Sequence, residues 1–225
     1  GHTPIAGTIG NRTYTGAYLA ILSPLVATWE TWWVFAILSI GFLCSFSRGA
    51  VPAWVAGVAI AQPQLGFLLI AVGIAVFAFM IVGGKGDRAL ISTLSSSFGD
   101  SLRSRLRIWY LSLAYAFRWP QWLIGYGFNK FGKESFKWIS LYNIREGFAH
   151  AHNDYIQLFF EYGLVGLFAA GMFVYGLIPH MRIGDPLTGS AVAIAITSLE
   201  TFPHHVAPIG VTILALLAIL SRGVM

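Results

Sequence analysis

Apolar and polar positions along the 225-residue chain fall into long blocks instead of alternating. Seven apolar segments stand out, at about 14–29, 31–46, 49–61, 65–83, 155–179, 188–200 and 207–221, and a polar stretch of about 84–151 separates the fourth from the fifth. A helix that crosses the hydrocarbon core needs about 20 apolar residues, and fewer if it dips in without crossing. No stretch carries the two-residue period of a strand. The pattern therefore predicts an all-α, polytopic integral membrane protein with about seven transmembrane or re-entrant helices and one long polar, amphipathic loop. Gln62-Pro63-Gln64 and Gly184-Asp185-Pro186 supply turn chemistry, and Phe202-Pro203-His204-His205 breaks the sixth segment from the seventh. The expected organisation is a four-helix membrane part over 1–83, the loop over 84–151 and a three-helix membrane part over 152–225, together one membrane domain.

Composition agrees. The chain is 56% hydrophobic and 10% charged, with a mean hydropathy of +0.70, against about 25% charged in an ordinary soluble domain. A soluble globular domain, a disordered chain and a nucleic-acid-binding chain are all excluded. Cys44 is the only cysteine and sits in an apolar run, so disulfide frameworks and cysteine metal sites are excluded too.

The formal charge of +5 is concentrated. Residues 85–146 hold ten Lys/Arg against four Asp/Glu, net +6, and the rest of the chain is net −1. The positive-inside rule would make this segment cytoplasmic, although the rule loses force for loops of about 60 residues or more. Counting crossings places Arg48, the basic segment and the start of the fifth apolar segment on one side of the membrane. Only 31 residues separate Glu30 from Gln62, where two full spans want about 40, so the hairpin tip at Arg48 is expected to sink below the membrane surface. An ionisable residue there is a candidate functional residue, the bland alternative being an arginine that snorkels to headgroups.

Trp109, Trp119, Trp122 and Trp138 thread the basic segment, as amphipathic helices lying on a membrane would require. A helix over 102–116 aligns Leu102, Leu106, Trp109, Leu113 and Ala116 in one stripe, with Arg105 at its edge and Arg103 and Arg107 projecting away. At the start of the fifth segment, Asn153 is a plausible N-cap. That places His152 beside the positive end of the helix dipole, which favours a neutral imidazole able to accept a proton. A purely structural hydrogen-bonding histidine fits the same position.

These residues carry a resemblance. His152-Asn153, nine residues, then Gly163-x-x-Gly166 resembles the His-Asn-x9-Gly-x-x-Gly signature of the O-antigen ligase and polymerase superfamily, polyprenyl-diphosphate-glycan transferases of the membrane. Ser45-Phe46-Ser47-Arg48-Gly49-Ala50 is similar to that family's Ser-Arg-Gly-Ala tip. Arg105-x-x-x-Trp109, then Pro120 and Gly125-Tyr126-Gly127, resembles its Arg-x-x-x-Trp…Pro-x-x-Gly-x-Gly stretch, and Gly7-Thr8-Ile9-Gly10-Asn11 its Gly-Thr-Phe-Gly-Asn. Because family members usually have about twelve membrane helices and this chain starts at Gly1, it looks like the C-terminal seven.

The resemblance implies a GT-C-like fold in the bacterial inner membrane with the polar loop periplasmic, overriding the lean from charge. It implies that Arg48 and Arg105 bind the diphosphate of an undecaprenyl-linked glycan and that His152 activates the acceptor hydroxyl. Guanidinium forks can stabilise a diphosphate leaving group without a metal, and no Asp-x-Asp metal motif is present, so no cofactor or metal is expected. Inversion at the sugar carbon needs one base. The partners implied are membrane lipid and the lipid-linked glycan, with further membrane subunits left open and no nucleic acid. The acceptor stays open between lipid A–core, a glycan and a protein. The alternative function is a noncatalytic, truncated membrane subunit within a larger assembly.

Other candidates weigh less. His150 faces the same region or is a bystander. Asp154, Gln157 and Glu161 share a helical face that either lines a polar cavity or packs against absent helices. His204-His205 reads as a solvated turn, and Gly83-Gly84-Lys85-Gly86 follows a helix, which is the wrong context for a nucleotide-phosphate loop.

Overall fold

The computed structural model describes residues 11–45, 47–71, 103–142, 149–199, 201 and 206–222. Residues 7–10, Phe46, 83–86, Leu102 and His204–His205, which enter the expectations above, lie outside the described residues, as do the side chains of Arg48 and Ser140. Among the described residues every regular element is helical: α1 (Arg12–Leu22), α2 (Trp32–Cys44), α3 (Val51–Ala61), α4 (63–71), α5 (103–116), α6 (Gln121–Ile124), α7 (Phe131–Tyr142), α8 (Asp154–Leu177), α9 (Pro186–Thr197) and α10 (Ala207–Ser221), with short 3₁₀ turns at Ser23–Val26, Arg48–Ala50 and Ile178–His180. Each of the seven apolar segments coincides with a helix, the fourth as far as residue 71. The helical run Asp154–His180, 27 residues long, has the length and apolarity to cross a bilayer, while the apolar helices α1, α2, α3, α9 and α10 are shorter.

The chain forms two compact units, 1–73 with 173–225, and 74–172. In the first, α3 and α9 pack through small residues. Ala53, Gly57 and Ala61 recur every fourth position on α3, and Gly189, Ala193 and Thr197 do so on α9. A Cβ on Gly57 would stand 2.9 Å from the Gly189 carbonyl oxygen, and one on Gly189 only 2.4 Å from that of Gly57. In lipid, tails solvate leucine as well as a neighbouring helix does, so close backbone approach through small residues supplies the association. The Gly184 N–H donates to the Ile60 carbonyl (2.8 Å), and the Asp185 carboxylate caps α9 by accepting from the Leu187 and Thr188 N–H groups. Phe42 stacks on Trp54 in the core of this unit, whereas Trp33, Ile37 and Ile40 form an exposed apolar face of α2. The Arg48 tip rests on α1. Ser45 and Ser47 are buried there, and a Cβ on Gly16 would come within 2.2 Å of the Ser47 Cβ.

The second unit closes around Phe131, Trp138 and Phe160, which meet edge to face, with Tyr126 stacked on Phe160 at 4.5 Å. On its helix α5, Trp109, Leu113 and Ala116 of the predicted stripe pack against this cluster and Leu106 does not. The packed face runs through Arg105, Ile108, Trp109, Ser112, Tyr115 and Ala116. Leu106 is exposed together with Arg103, Arg107, Tyr110 and Phe117. The helix carries apolar residues on both faces, so hydrophobic period alone misplaces Leu106, and Arg105, half-buried, shares the face of Ile108 and Ser112.

Candidate active site

Helix α8 is not continuous in geometry. At Gly163 the backbone takes φ 62°, ψ −156°, a region open essentially to glycine, and the helix kinks. The kink frees the carbonyls of Phe160 and Glu161 from their helical partners, and these accept instead from the N–H groups of Tyr126 (2.9 Å) and Gly127 (2.8 Å). Gly125, at φ 73°, crosses at the same place: a Cβ there would stand 2.2 Å from the Glu161 carbonyl carbon, and one on Gly163 would stand 2.4 Å from that of Leu123. Gly166 completes the bend, since an added Cβ would meet the Tyr162 Cβ at 2.3 Å. Two glycine pairs far apart in sequence thus serve one backbone crossing.

The Glu161 side chain extends the same joint. It is buried, and its carboxylate accepts from the N–H groups of Asn129 (3.1 Å) and Phe131 (3.3 Å). A negative group at the start of α7 complements the unpaired amides and the helix dipole there. One turn earlier, the buried Gln157 donates to Glu161 (3.4 Å) and accepts from the Ala151 N–H (3.1 Å), with its Nε2 3.3 Å from His150 Nδ1. Neither expectation for this polar face holds for Gln157 and Glu161. They bind backbone of their own unit instead of lining a cavity or meeting absent helices.

This framework presents His152. Asn153 caps α8 as expected, its Oδ1 accepting from the Ile156 N–H at 3.0 Å. His152, just outside the cap, is half-buried and sits in the left-handed region at φ 53°, a conformation that costs a non-glycine residue about 1–2 kcal/mol. Its imidazole pKa is lowered from 6.5 to about 4, first by burial, then by the positive charges of Arg105 and of His150. The neutral ring that the helix-dipole reasoning anticipates is present, with burial and Arg105 as its causes. Arg105 comes from α5, half-buried, and one turn on from it the Trp109 indole N–H donates to the Ala151 carbonyl (2.8 Å). Sequence reasoning placed Trp109 in an apolar stripe and missed this bond. The signal was available in the spacing, because Arg105 and Trp109 are one helical turn apart and share a face.

The second unit therefore brings together Arg105, His150, His152, Asn153 and the Gly163/Gly166 bend. Arg103 and Arg107 are exposed on the other side of α5. Arg48 belongs to the first unit, where its backbone opens the 3₁₀ turn Arg48–Ala50. Among the described residues no three His, Cys, Asp or Glu side chains converge on a point that would hold a metal ion. Chemically, a neutral imidazole beside a guanidinium on a preorganised turn can take a proton close to where an anion is bound.

No curated protein shows a significant match to the chain. The sequence model of the O-antigen ligase family matches residues 33–171, more than half of the chain, from the start of α2 through the bend of α8. That span includes the Arg48 tip, Arg105, Trp109 and the whole His152 turn. The chain belongs to the O-antigen ligase family, whose members are membrane glycosyltransferases.

Proposed function

We propose that the chain carries the catalytic residues for inverting, metal-independent transfer of a glycan from undecaprenyl diphosphate to an acceptor hydroxyl. The observation that carries the reading is the neutral His152 held beside Arg105 at the capped start of α8. The acceptor oxygen attacks the anomeric carbon, the bond from that carbon to the diphosphate oxygen breaks with its electron pair, and the acceptor proton passes to a ring nitrogen of His152. The products are the glycosylated acceptor and undecaprenyl diphosphate. Arg105 takes the charge that develops on the leaving group, where a bidentate guanidinium is effective. Arg48 is assigned to the same diphosphate by its place in the Ser-Arg-Gly-Ala motif alone.

Sidedness follows the same reading. His180 and Arg182 lie in the short turn after α8, Arg222 ends α10, and Ile219 and Leu220 of α10 line a cavity together with Pro179, His180 and residues 182–187. Arg182 flanks a short connection, where the positive-inside rule has its force, and Arg222 lies towards the same end. They support a cytoplasmic turn after α8, hence a periplasmic His152 in an inner-membrane protein. The test is the full-length protein in lipid nanodiscs, supplied with undecaprenyl-diphosphate-linked glycan and lipid A–core. Release of undecaprenyl diphosphate with transfer of the glycan is the expected result; binding and turnover of no such donor contradicts the reading and favours a noncatalytic subunit.

A further inference from the structure

Ala151 is fully buried, and both polar groups of its backbone are held by side chains from different helices. Its N–H donates to Gln157 Oε1 on α8 (3.1 Å), and its carbonyl accepts from Trp109 Nε1 on α5 (2.8 Å). The next residue is His152, whose left-handed backbone at φ 53° requires its surroundings to over-determine it. Gln157 is itself oriented, with its Nε2 donating to the buried Glu161 carboxylate (3.4 Å). Trp109 stands one turn from Arg105 on the packed face of α5, so the helix that supplies the guanidinium also supplies one jaw of the grip.

The geometry points to Trp109 and Gln157 as positioning residues that clamp Ala151 between α5 and α8 and so fix His152 against Arg105. This rests on the reading of His152 as the base and deepens it. Two hydrogen bonds from opposite sides fix both the height and the rotation of the turn, whereas either alone would leave it free to pivot. A base displaced by about 1 Å from its productive position loses roughly 100-fold in rate. Arg105 would still hold the diphosphate if the turn relaxed, so the clamp acts on turnover and spares donor binding.

The experiment uses full-length protein with labelled histidines, the His152 ring resonance being assigned by its loss in His152→Gln. Trp109→Phe keeps the ring and removes the N–H donor. Gln157→Leu removes the other jaw and guards against a fold defect peculiar to the first variant. In the unmutated protein the His152 titration is expected at about 4. In each folded variant the titration is expected to move upward by one unit or more, towards the ordinary 6.5, as the ring leaves its buried place beside Arg105. Turnover is expected to fall about 10- to 100-fold with the donor Kd within about twofold of wild type. An unmoved His152 titration in both folded variants overturns the clamp, and so does a loss of donor binding that matches the loss of turnover. If His152→Gln keeps full transfer, the base reading fails by itself, while the titrations of the other two variants still decide whether the clamp exists.

Discussion

Replacing Gly163 with alanine sets the preference of the sequence for a straight helix against the crossing that builds the site. The backbone at φ 62°, ψ −156° is strained for any L-residue, at about 1–3 kcal/mol. Space is also lacking: the new Cβ would lie 2.4 Å from the Leu123 carbonyl carbon and 2.6 Å from the Ile124 nitrogen, well inside the roughly 3.5–4 Å of ordinary contact. If α8 straightens to relieve both, the Phe160 and Glu161 carbonyls return to helical bonding and the Tyr126 and Gly127 N–H groups lose their acceptors, at about 0.5–1.5 kcal/mol each. Either route costs about 1–3 kcal/mol. Gly171→Ala is the internal control, because it sits in the same helix with nothing within 4 Å of its added Cβ, and should be neutral or stabilising by up to about 1 kcal/mol. Gly125→Ala should behave like Gly163→Ala, and the double variant should be less than additive, since each substitution opens the same approach. Thermal unfolding of the full-length protein, followed by loss of helical signal and of monodisperse elution, reads these differences. Gly163→Ala as well tolerated as Gly171→Ala would refute the crossing.

Three further outcomes follow from the site. The acid limb of kcat/KM should fall near pH 4 instead of 6.5, since a depressed imidazole is still neutral at pH 5.5, where an ordinary one would be about 90% protonated; Arg105→Gln removes one lowering charge and should move the limb up, and the stability linked to His152 should be complete above about pH 6.5 and decline as pH falls from there towards 4. A pH profile with a limb at 6.5 that Arg105→Gln leaves in place would speak against their proximity. Arg105→Lys should cut transfer sharply because the bidentate fork is lost, whereas Arg103→Lys and Arg107→Lys on the exposed face of α5 should stay within about twofold; equal behaviour of all three in a transfer assay would reduce α5 to a generic basic surface. Lys137→Cys in a Cys44→Ala background, exposed on α7, should react with an impermeant thiol reagent in intact cells exposed at the periplasmic side, and reaction only after lysis would reverse the topology.

The seven helical segments were legible because apolar runs and their turn residues are local signals, and the Asn153 cap was legible for the same reason. The rotation of α5 was legible only in part, since Trp109, Leu113 and Ala116 pack inward and Leu106 does not. Leu106, Tyr110 and Phe117 are apolar yet exposed, and in a membrane protein a hydrophobic side chain does not tell core from lipid-facing surface. Gly125 and Gly163 were marked by motif, but their common purpose is a contact between residues 38 positions apart, which no periodicity encodes. Gln157 and Glu161 read as one polar stripe, yet their partners are backbone amides of Ala151, Asn129 and Phe131, groups that every sequence contains and none advertises. The depressed pKa of His152 was anticipated in direction from its place at a helix start, while its larger causes, burial and Arg105, needed the fold.

The central claim is that His152 takes the acceptor proton while Arg105 holds the leaving diphosphate. Glycan transfer from undecaprenyl diphosphate by full-length His152→Ala protein, measured beside donor binding by the same preparation, tests it most directly. General-base contributions are typically about 100- to 10,000-fold, so the account predicts a loss of that size with donor affinity nearly unchanged, far beyond the loss from His150→Ala. Wild-type turnover in His152→Ala, or a loss of donor binding that alone explains the loss of transfer, would contradict it.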